Sequence, residues 1–495
     1  MRISEHLEDN IKELKKRFNN CDDIVQREMM VADLPMYIVY VDSMIDRELV
    51  EGDFLKNLMY GLEEIPKKNT FDFLQKQAMT TADTKAAELF EDAVVEILSG
   101  NTLFFLQGCR KALIISSKDF PSRGVQAAES EVAVRGPKDS FTESMRVNTI
   151  LIRRRIRDSR LKTRQIKVGV RSQTDITVMY MEGIAREEVI DDIFNRMKSF
   201  KIDGIFDCGN LEQLTEKKWY SPFPQFQTTE RPDKTASAVM EGRVVVIVDN
   251  SPMVLLLPTT LNCFFQAADD YYNRWGIVCF VRVIRYMAAF IAMTLPGFYI
   301  GVAAFHPEML PMSLELSFAS ARSGVPFPVP VELLLLELAF ELLREAGIRL
   351  PGPMGSALGI VGGLIIGQAA VDANIISPVV VIVVALTALA SFTIPNEGFA
   401  SAFRLVKFYL ILLASFAGIY GLVLGILSVF IHLASLKSFN IPYLMPYVSV
   451  KADDNRDLQD GIIRMPLFKI RKRPVFSRKE QRVRYRSGED KNVFK

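Results

Sequence analysis

The sequence predicts a water-soluble α/β (or α+β) N-terminal half of two subdomains, followed by an all-α polytopic membrane domain. With 495 residues, the chain is too long for one typical domain. Hydrophobic residues make up 49% of it, but they are unevenly distributed. The chain is mixed and charged up to about residue 250, whereas 277–432 is dominated by Leu, Val, Ile, Ala, Gly and Phe. A composition change of this kind separates a soluble unit from one that lies in a bilayer.

The first soluble subdomain is predicted over residues 1–150. Helical periodicity and β-branched or aromatic runs alternate along it, which is typical of α/β or α+β folds. The predicted helices are 4–18, 47–59, 84–98 and 142–157, and the predicted strands are 37–41, 102–106 and 112–116. The last helix ends in three arginines, Arg153 to Arg155. We interpret them as a solvated face or a link between the subdomains rather than an anion site.

The second soluble subdomain is predicted over 151–258. Strands are expected near 164–170 and 175–181, and a helix over 186–200. Two further strands, 244–248 and 253–257, are joined by Asp-Asn-Ser-Pro, a favourable turn sequence.

The membrane domain is predicted over 277–436. A helix needs about 20 apolar residues to cross a bilayer, and four segments qualify by composition: 286–305, 355–372, 375–394 and 408–432. A fifth apolar segment, 329–346, carries several charges and is predicted to be an amphipathic helix that does not cross. Residues 437–495 form a basic tail.

The orientation follows from the basic residues beside the spans. Arg282 and Arg285 precede the first span, and a basic run over 469–486 follows the last one. Both ends are therefore predicted to be cytoplasmic, with an even number of spans, and the basic run is expected to attract anionic headgroups. Arg404 and Lys407 then fall on the outer side, which opposes a count of four.

Composition and motifs argue against several classes of function. The net charge of +2 does not suggest nucleic-acid binding, and the five cysteines are scattered without the spacing of a disulfide framework or a zinc site. The sequence contains no GxxxxGK[ST], GxSxG or HExxH motif. We therefore predict no catalytic site, no cofactor and no metal.

Glycines at a spacing of four are the first candidate functional feature. They form two series, Gly355, Gly359, Gly363 and Gly367 in one predicted span, and Gly421 and Gly425 in the last. This spacing places small residues along one helix face, where a neighbouring backbone can approach closely. The spacing does not distinguish packing within one chain from packing between chains.

Carboxylates in the amphipathic segment are the second candidate. Glu337, Glu341 and Glu345 share one helix face, and Glu332 lies roughly opposite, on the leucine side. Carboxylates are costly in hydrocarbon, so these should face water, a partner or a pore. Two interpretations stay open: an interfacial helix with its acidic face in water, or a ring of carboxylates lining a cation path in an oligomer.

Several segments, taken together and in order, resemble a known family. They include VRGPKDSFTE (134–143), NTILIRRRI (148–156), DNSPMVLLLPTT (249–260), FELLREAGIRLP (340–351) and SPVVVIVVALTALASFTIP (377–395). The chain resembles the A subunits of bacterial spore germinant receptors, the GerA family, over nearly everything from about residue 30 to the basic tail.

The resemblance implies a multi-pass protein of the spore inner membrane with a cytoplasmic N-terminal domain. It implies two partners, a transporter-like B subunit that holds the germinant (an amino acid, sugar or nucleoside) and a C subunit that is a lipoprotein. It further implies an oligomer of A subunits that converts germinant sensing into ion release.

Two other functions are alternatives to this one. A stage V sporulation paralogue, acting as a scaffold or accessory in dipicolinate release, shares the RGPKDSFTE-type and RRRI-type segments. A secondary transporter is disfavoured because transporters usually carry internal repeats, and the sequence shows none.

Overall fold

The computed structural model describes residues 1–31, 34–42, 44–56, 70–77, 84–119, 131, 134–348, 362, 365–448 and 458–484. Within them the N-terminal region is mixed α/β and the C-terminal part is helical.

The first sheet has five antiparallel strands in the order β1-β2-β4-β5-β3. They are β1 Ile24–Val31, β2 Leu34–Val41, β3 Thr84–Ala87, β4 Thr102–Leu106 and β5 Ala112–Ile115. One face of this sheet is covered by helices Leu7–Arg17 and Phe90–Leu98. The core on the other face includes residues of a π-helical segment, Glu48–Leu55, and of helix Thr70–Gln77. Because both faces are covered, the central strands β4 and β5 are continuous apolar runs rather than alternating ones.

The second sheet has five antiparallel strands in the order β6-β7-β9-β10-β8. They are β6 Leu161–Val168, β7 Thr174–Met181, β8 Gln227–Thr229, β9 Val244–Val248 and β10 Val254–Leu257. Helices Met145–Arg153 and Pro232–Met240 cover one face, and helices Glu187–Ser199 and Cys208–Thr215 cover the other.

The two sheets have the same topology. If the five strands of each sheet are numbered along the chain, both sheets place them side by side in the order 1-2-4-5-3. In both sheets, the helix before strand 1 and the helix before strand 4 pack on the same face. The N-terminal region therefore contains the same strand topology twice, although the sequence shows no repeat. Two copies of one topology need only the same pattern of buried positions, not the same residues.

A buried arginine joins the two subdomains. The segment before β1 pairs with β6, where the amide of Asp22 donates to the carbonyl of Thr163 over 2.9 Å. Arg153 is fully buried beside this pairing, and its Nη2 donates to Asp23 Oδ1 over 2.8 Å and to Thr163 Oγ1 over 2.9 Å. Within the arginine cluster, Arg153 thus links the subdomains.

The helical part follows helix Leu261–Phe265 and a 3-10 turn, Ala268–Tyr271. Its first long helix is Trp275–Ile300, which continues as a π-helical segment, Gly301–Phe305. A 3-10 turn, Pro307–Met309, comes next. Among the described residues, helices Met312–Ala321, Val329–Ile348, Pro378–Ser391 and Glu397–Ser435 follow. Within the part of the chain that the structure describes, two helical stretches, Trp275–Phe305 and Glu397–Ser435, are long and apolar enough to cross a membrane.

The observed helices differ from the predicted spans at their ends. The first long helix begins at Trp275 rather than at residue 286, and the predicted span 375–394 corresponds to helix Pro378–Ser391. The predicted span 355–372 lies largely outside the described residues, of which 362 and 365–372 are helical.

The last predicted span, 408–432, is not one straight helix. Gly418 has φ 60° and ψ −139°, a conformation open to glycine but not to other residues, and the chain reverses there. The hydroxyls of Tyr409 and Ser428, 19 residues apart, lie within 3.0 Å, whereas a continuous helix would separate them by about 28 Å. Glu397–Ser435 is therefore a helical hairpin, with a first arm over 397–417 and a second arm over 419–435.

The tail returns to the second subdomain. Strands Lys437–Ser438 and Ile441–Pro442 form a small hairpin, and a 3-10 turn, Lys479–Gln481, lies further on. Arg478 Nη2 reaches Glu187 Oε1 over 2.6 Å, and Arg473 Nε donates to the carbonyl of Met240 over 2.9 Å. Part of the basic run thus contacts protein.

Candidate functional site

The predicted amphipathic segment forms helix Val329–Ile348, here called the acidic helix. Two of its leucines, Leu333 and Leu336, are buried in the helical core with Val380 and Val384 of the neighbouring helix, whereas other leucines of the helix are exposed. This packing orients the four glutamates of the helix.

Glu337 forms a buried ion pair with the first arm of the hairpin. The distance between Lys407 Nζ and Glu337 Oε2 is 2.6 Å, and the two side chains are 7% and 1% exposed. An isolated charge at such a position would be very unfavourable, so each of these charges depends on the other.

Glu341 extends the pair into a cluster. Its Oε1 lies 3.6 Å from Lys407 Nζ, and its Oε2 lies 3.4 Å from Arg404 Nη1. Two carboxylates and two cations thus meet between the acidic helix and the first arm. We call Glu337, Glu341, Arg404 and Lys407 the charge cluster; its formal charges sum to zero.

Glu332 lies apart from the charge cluster. It is completely buried, and its Oε1 accepts a hydrogen bond from the backbone amide of Ser377. Its Oε2 is 3.7 Å from Arg322 Nε. Glu332 therefore ties the start of the acidic helix to the turn before helix Pro378–Ser391.

The structure thus brings Glu337 and Glu341 together and separates them from Glu332. Glu345, one turn beyond Glu341, is exposed near the helix end. Helical spacing did not reveal the cationic partners, although Arg404 and Lys407 are the two Lys or Arg residues of the hairpin segment. A role for the glutamates in lining a pore stays a prediction.

Glycines allow close contact inside the helical part. A Cβ on Gly425 would lie 2.5 Å from Leu410 Cδ2, and a Cβ on Gly421 would clash with the carbonyl of Leu413. Both neighbours belong to the first arm, so these two glycines face the other half of the hairpin. Gly367 faces Val381, at 3.2 Å from a Cβ, whereas Gly355, Gly359 and Gly363 lie outside the described residues.

A second buried network lies where the soluble region meets the helices. Arg282 Nε donates to Asp270 Oδ2 over 2.8 Å, and its Nη1 donates to Asp460 Oδ1 over 2.7 Å. The hydroxyl of Tyr271 donates to Asp460 over 2.7 Å, and burial raises the pKa of Tyr271 well above its usual value, which keeps that proton in place. We call Asp270, Tyr271, Arg282 and Asp460 the junction network, since it joins the first long helix, the preceding turn and the tail.

Among the described residues, no group of three or more His, Cys, Asp or Glu side chains could hold a metal ion. The charge cluster contains two carboxylates, but Lys407 and Arg404 already occupy the positions where a cation would bind.

Comparison with known proteins decides the family. A family model described as Bacillus/Clostridium GerA spore germination protein matches residues 12–476. The chain belongs to the GerA family. The match includes the soluble region, the junction network and the charge cluster, and it confirms the resemblance seen in the sequence.

GerA relatives align over nearly the full length. Spore germination protein KA of Bacillus subtilis (strain 168) is 38% identical over 97% of this chain and 88% of its own length. Spore germination protein A1 of the same organism is 39% identical over 94% of this chain and 95% of its own. The crystal structure of the N-terminal domain of the A subunit of the Bacillus megaterium spore germinant receptor GerK3 is 28% identical, with a TM-score of 0.42, over 52% of this chain and 96% of that one.

Proposed function

We propose that this GerA-family chain is the A subunit of a nutrient germinant receptor in the spore inner membrane. In this proposal it assembles with a transporter-like B subunit, a lipoprotein C subunit and further A subunits, and it converts germinant binding into cation release. The observation that carries the proposal is the full-length similarity to germination proteins KA and A1, which includes both the soluble and the helical part.

Embedding of the helical part in a bilayer is supported by its outer surface. Large apolar side chains stay exposed along the hairpin and the neighbouring helix, including Phe416 at 84% and Ile382 at 66%. In water such a surface would be unfavourable, whereas lipid chains would cover it.

The side of the membrane is supported by the contacts of the soluble region. Phe223 of the second subdomain lies 6.0 Å from the ring of Phe399 and 6.2 Å from that of His432, at the two ends of the hairpin. The tail contacts the same subdomain. The N-terminal region and the tail then share one side, and the basic run over 469–486 favours the cytoplasm.

The charge cluster is proposed as the element that the signal moves. The cluster is neutral, and its Glu337–Lys407 pair is almost completely buried. It holds the acidic helix against the first arm, and separating this pair would be costly unless water or ions entered. The junction network connects the soluble region to the first long helix and could pass a displacement onward. In an oligomer, released carboxylates from several acidic helices would form a ring that attracts cations.

Potassium release from spores carrying Glu341→Gln tests this proposal. Gln keeps the size of the side chain and its hydrogen bonding but removes one charge per subunit, so release after nutrient addition should slow at unchanged subunit level. Glu308→Gln is the matched control, since Glu308 is an exposed carboxylate outside the acidic helix. Normal release kinetics at normal abundance, judged by immunoblot, would remove Glu341 from the conducting path.

A further inference from the structure

The tail carries an exposed surface that combines apolar and basic side chains. Ile463, Leu467 and Phe468 are 58%, 56% and 60% exposed. The exposed basic residues Lys469, Arg471 and Lys472 follow directly. We call residues 462–472 the apolar–basic loop.

The loop is fixed beside the first long helix. Arg464 is buried, and its Nη1 donates to the carbonyls of Asp270 and Asn273. The thiol of Cys279 donates to the carbonyl of Arg464 over 3.1 Å. Cys279 lies about 10 Å along the helix axis from Tyr286, where the apolar span was predicted to begin.

The helix continues the exposed apolar surface at this level. Ile277 and Phe280, on either side of Cys279, are 61% and 67% exposed. The loop therefore lies next to the place where the helix would enter the hydrocarbon, at the depth of lipid headgroups. Apolar residues flanked by Lys and Arg are the composition that binds anionic membrane surfaces.

The arginines further along the tail have other contacts. Arg473, Arg478 and Arg484 bind Met240, Glu187 and Glu241 of the second subdomain. The basic run thus divides into a part that docks on protein and the part that belongs to the loop.

We propose that the apolar–basic loop inserts into the headgroup layer of an anionic leaflet. Ile463, Leu467 and Phe468 enter the layer, and Lys469, Arg471 and Lys472 bind lipid phosphates. This inference rests on the proposed membrane embedding. It adds a second attachment, by which the tail and the second subdomain are held against the bilayer surface.

Tryptophan quenching by brominated lipids tests the proposal on the full chain in vesicles. The chain has two tryptophans, so the double variant Trp219→Phe/Trp275→Phe provides a background for single reporters. Phe468→Trp should be quenched in vesicles that contain phosphatidylglycerol, and Phe416→Trp reports on embedding of the hairpin. Quenching at Phe416→Trp without quenching at Phe468→Trp would overturn the loop proposal alone, whereas no quenching at either would overturn the embedding itself.

A charge series tests the lipid preference. Replacing phosphatidylglycerol with phosphatidylcholine should reduce quenching of Phe468→Trp at least about twofold, since the basic side chains lose their partners. Adding Lys469→Gln, Arg471→Gln and Lys472→Gln should remove that dependence. Lys198→Gln/Lys201→Gln, two exposed positions on the second subdomain, should leave it unchanged. Equal quenching in both lipids would refute the role of the basic residues. Absent quenching together with cross-linking between copies at residue 468 would assign the loop to a subunit interface.

Discussion

The ion pair between Glu337 and Lys407 offers the sharpest test of the helical part. Its atoms are 2.6 Å apart and both side chains are almost completely buried. Removing one member of such a pair leaves an uncompensated charge and costs about 3–5 kcal/mol. The cost of Glu337→Gln should lie near the lower end of this range, because the charge of Lys407 still has Glu341 as a partner at 3.6 Å.

The double variant separates a charge effect from a packing effect. Glu337→Met/Lys407→Met replaces the pair with apolar side chains of similar length, and such replacements are often neutral or stabilising. The single variants Glu337→Met and Lys407→Met should each lose several kcal/mol, whereas the double variant should lie within about 1–2 kcal/mol of the natural protein. The measurement is the free energy of unfolding in mixed micelles, by titration with SDS.

Arg404→Met is the matched control. Its ion pair with Glu341 is longer, at 3.4 Å, and Glu341 keeps Lys407 at 3.6 Å when Arg404 is lost, so this loss should cost less than the loss of Lys407. A double variant that loses the sum of the two single losses would show that Glu337 and Lys407 do not interact as the structure has them.

Four further predictions follow from other parts of the chain. Gly425→Leu should lower subunit abundance on an immunoblot, because the side chain would overlap Leu410, whereas Gly276→Leu, which has no neighbour within 4 Å, should not. Arg153→Met should lower the free energy of unfolding of the N-terminal region by about 3–5 kcal/mol in a urea titration, because Asp23 stays buried without its cation. A loss below about 1 kcal/mol would contradict the link between the subdomains. Burial raises the pKa of Glu212 from 4.5 to about 8, and the charges of Glu216 and Asp207 add to the effect. The free energy of unfolding should therefore fall as the pH rises from about 4.5 to 8, and Glu212→Gln should raise the melting temperature more at pH 8 than at pH 5. An equal rise at both pH values would argue against this titration. Lys479→Cys introduces a thiol at an exposed site in the tail. This thiol should not react with an impermeant reagent added to intact cells, but it should react after permeabilisation. Labelling of intact cells would place the tail outside.

Composition predicted the mixed α/β region and the helical part, because both depend on local periodicity and mean hydropathy. The hairpin could not be found in this way. A window of apolar residues has the same composition whether the helix runs straight or reverses, and the decisive residue, Gly418, is one of several glycines in the segment. Likewise, the two sheets share one strand order but no visible sequence repeat.

The candidate site was predicted in part. Helical spacing placed Glu337 and Glu341 on one face correctly, since that depends on 3.6 residues per turn alone. Their partners lie some 70 and 63 residues away, and which helices become neighbours is decided by tertiary packing. The same separation explains why the junction network, between residues 270–282 and 460, went unnoticed.

In the proposed topology, the charge cluster also answers the objection to an even number of crossings. If both termini are cytoplasmic and the chain has four straight spans, Arg404 and Lys407 fall on the outer side, against the positive-inside rule. In the structure both ends of the hairpin contact the second subdomain, as in the bond from Lys218 Nζ to the carbonyl of Ser435 over 2.8 Å. Lys407 lies about 15 Å into the first arm, so in the proposed bilayer embedding it is inside the membrane rather than in a loop. Glu337 and Glu341 neutralise Arg404 and Lys407. These two cations therefore do not act as free positive charges in determining the orientation of the helices in the membrane. In the proposed topology the hairpin contributes two crossings, which leaves the tail on the side of the N-terminal region.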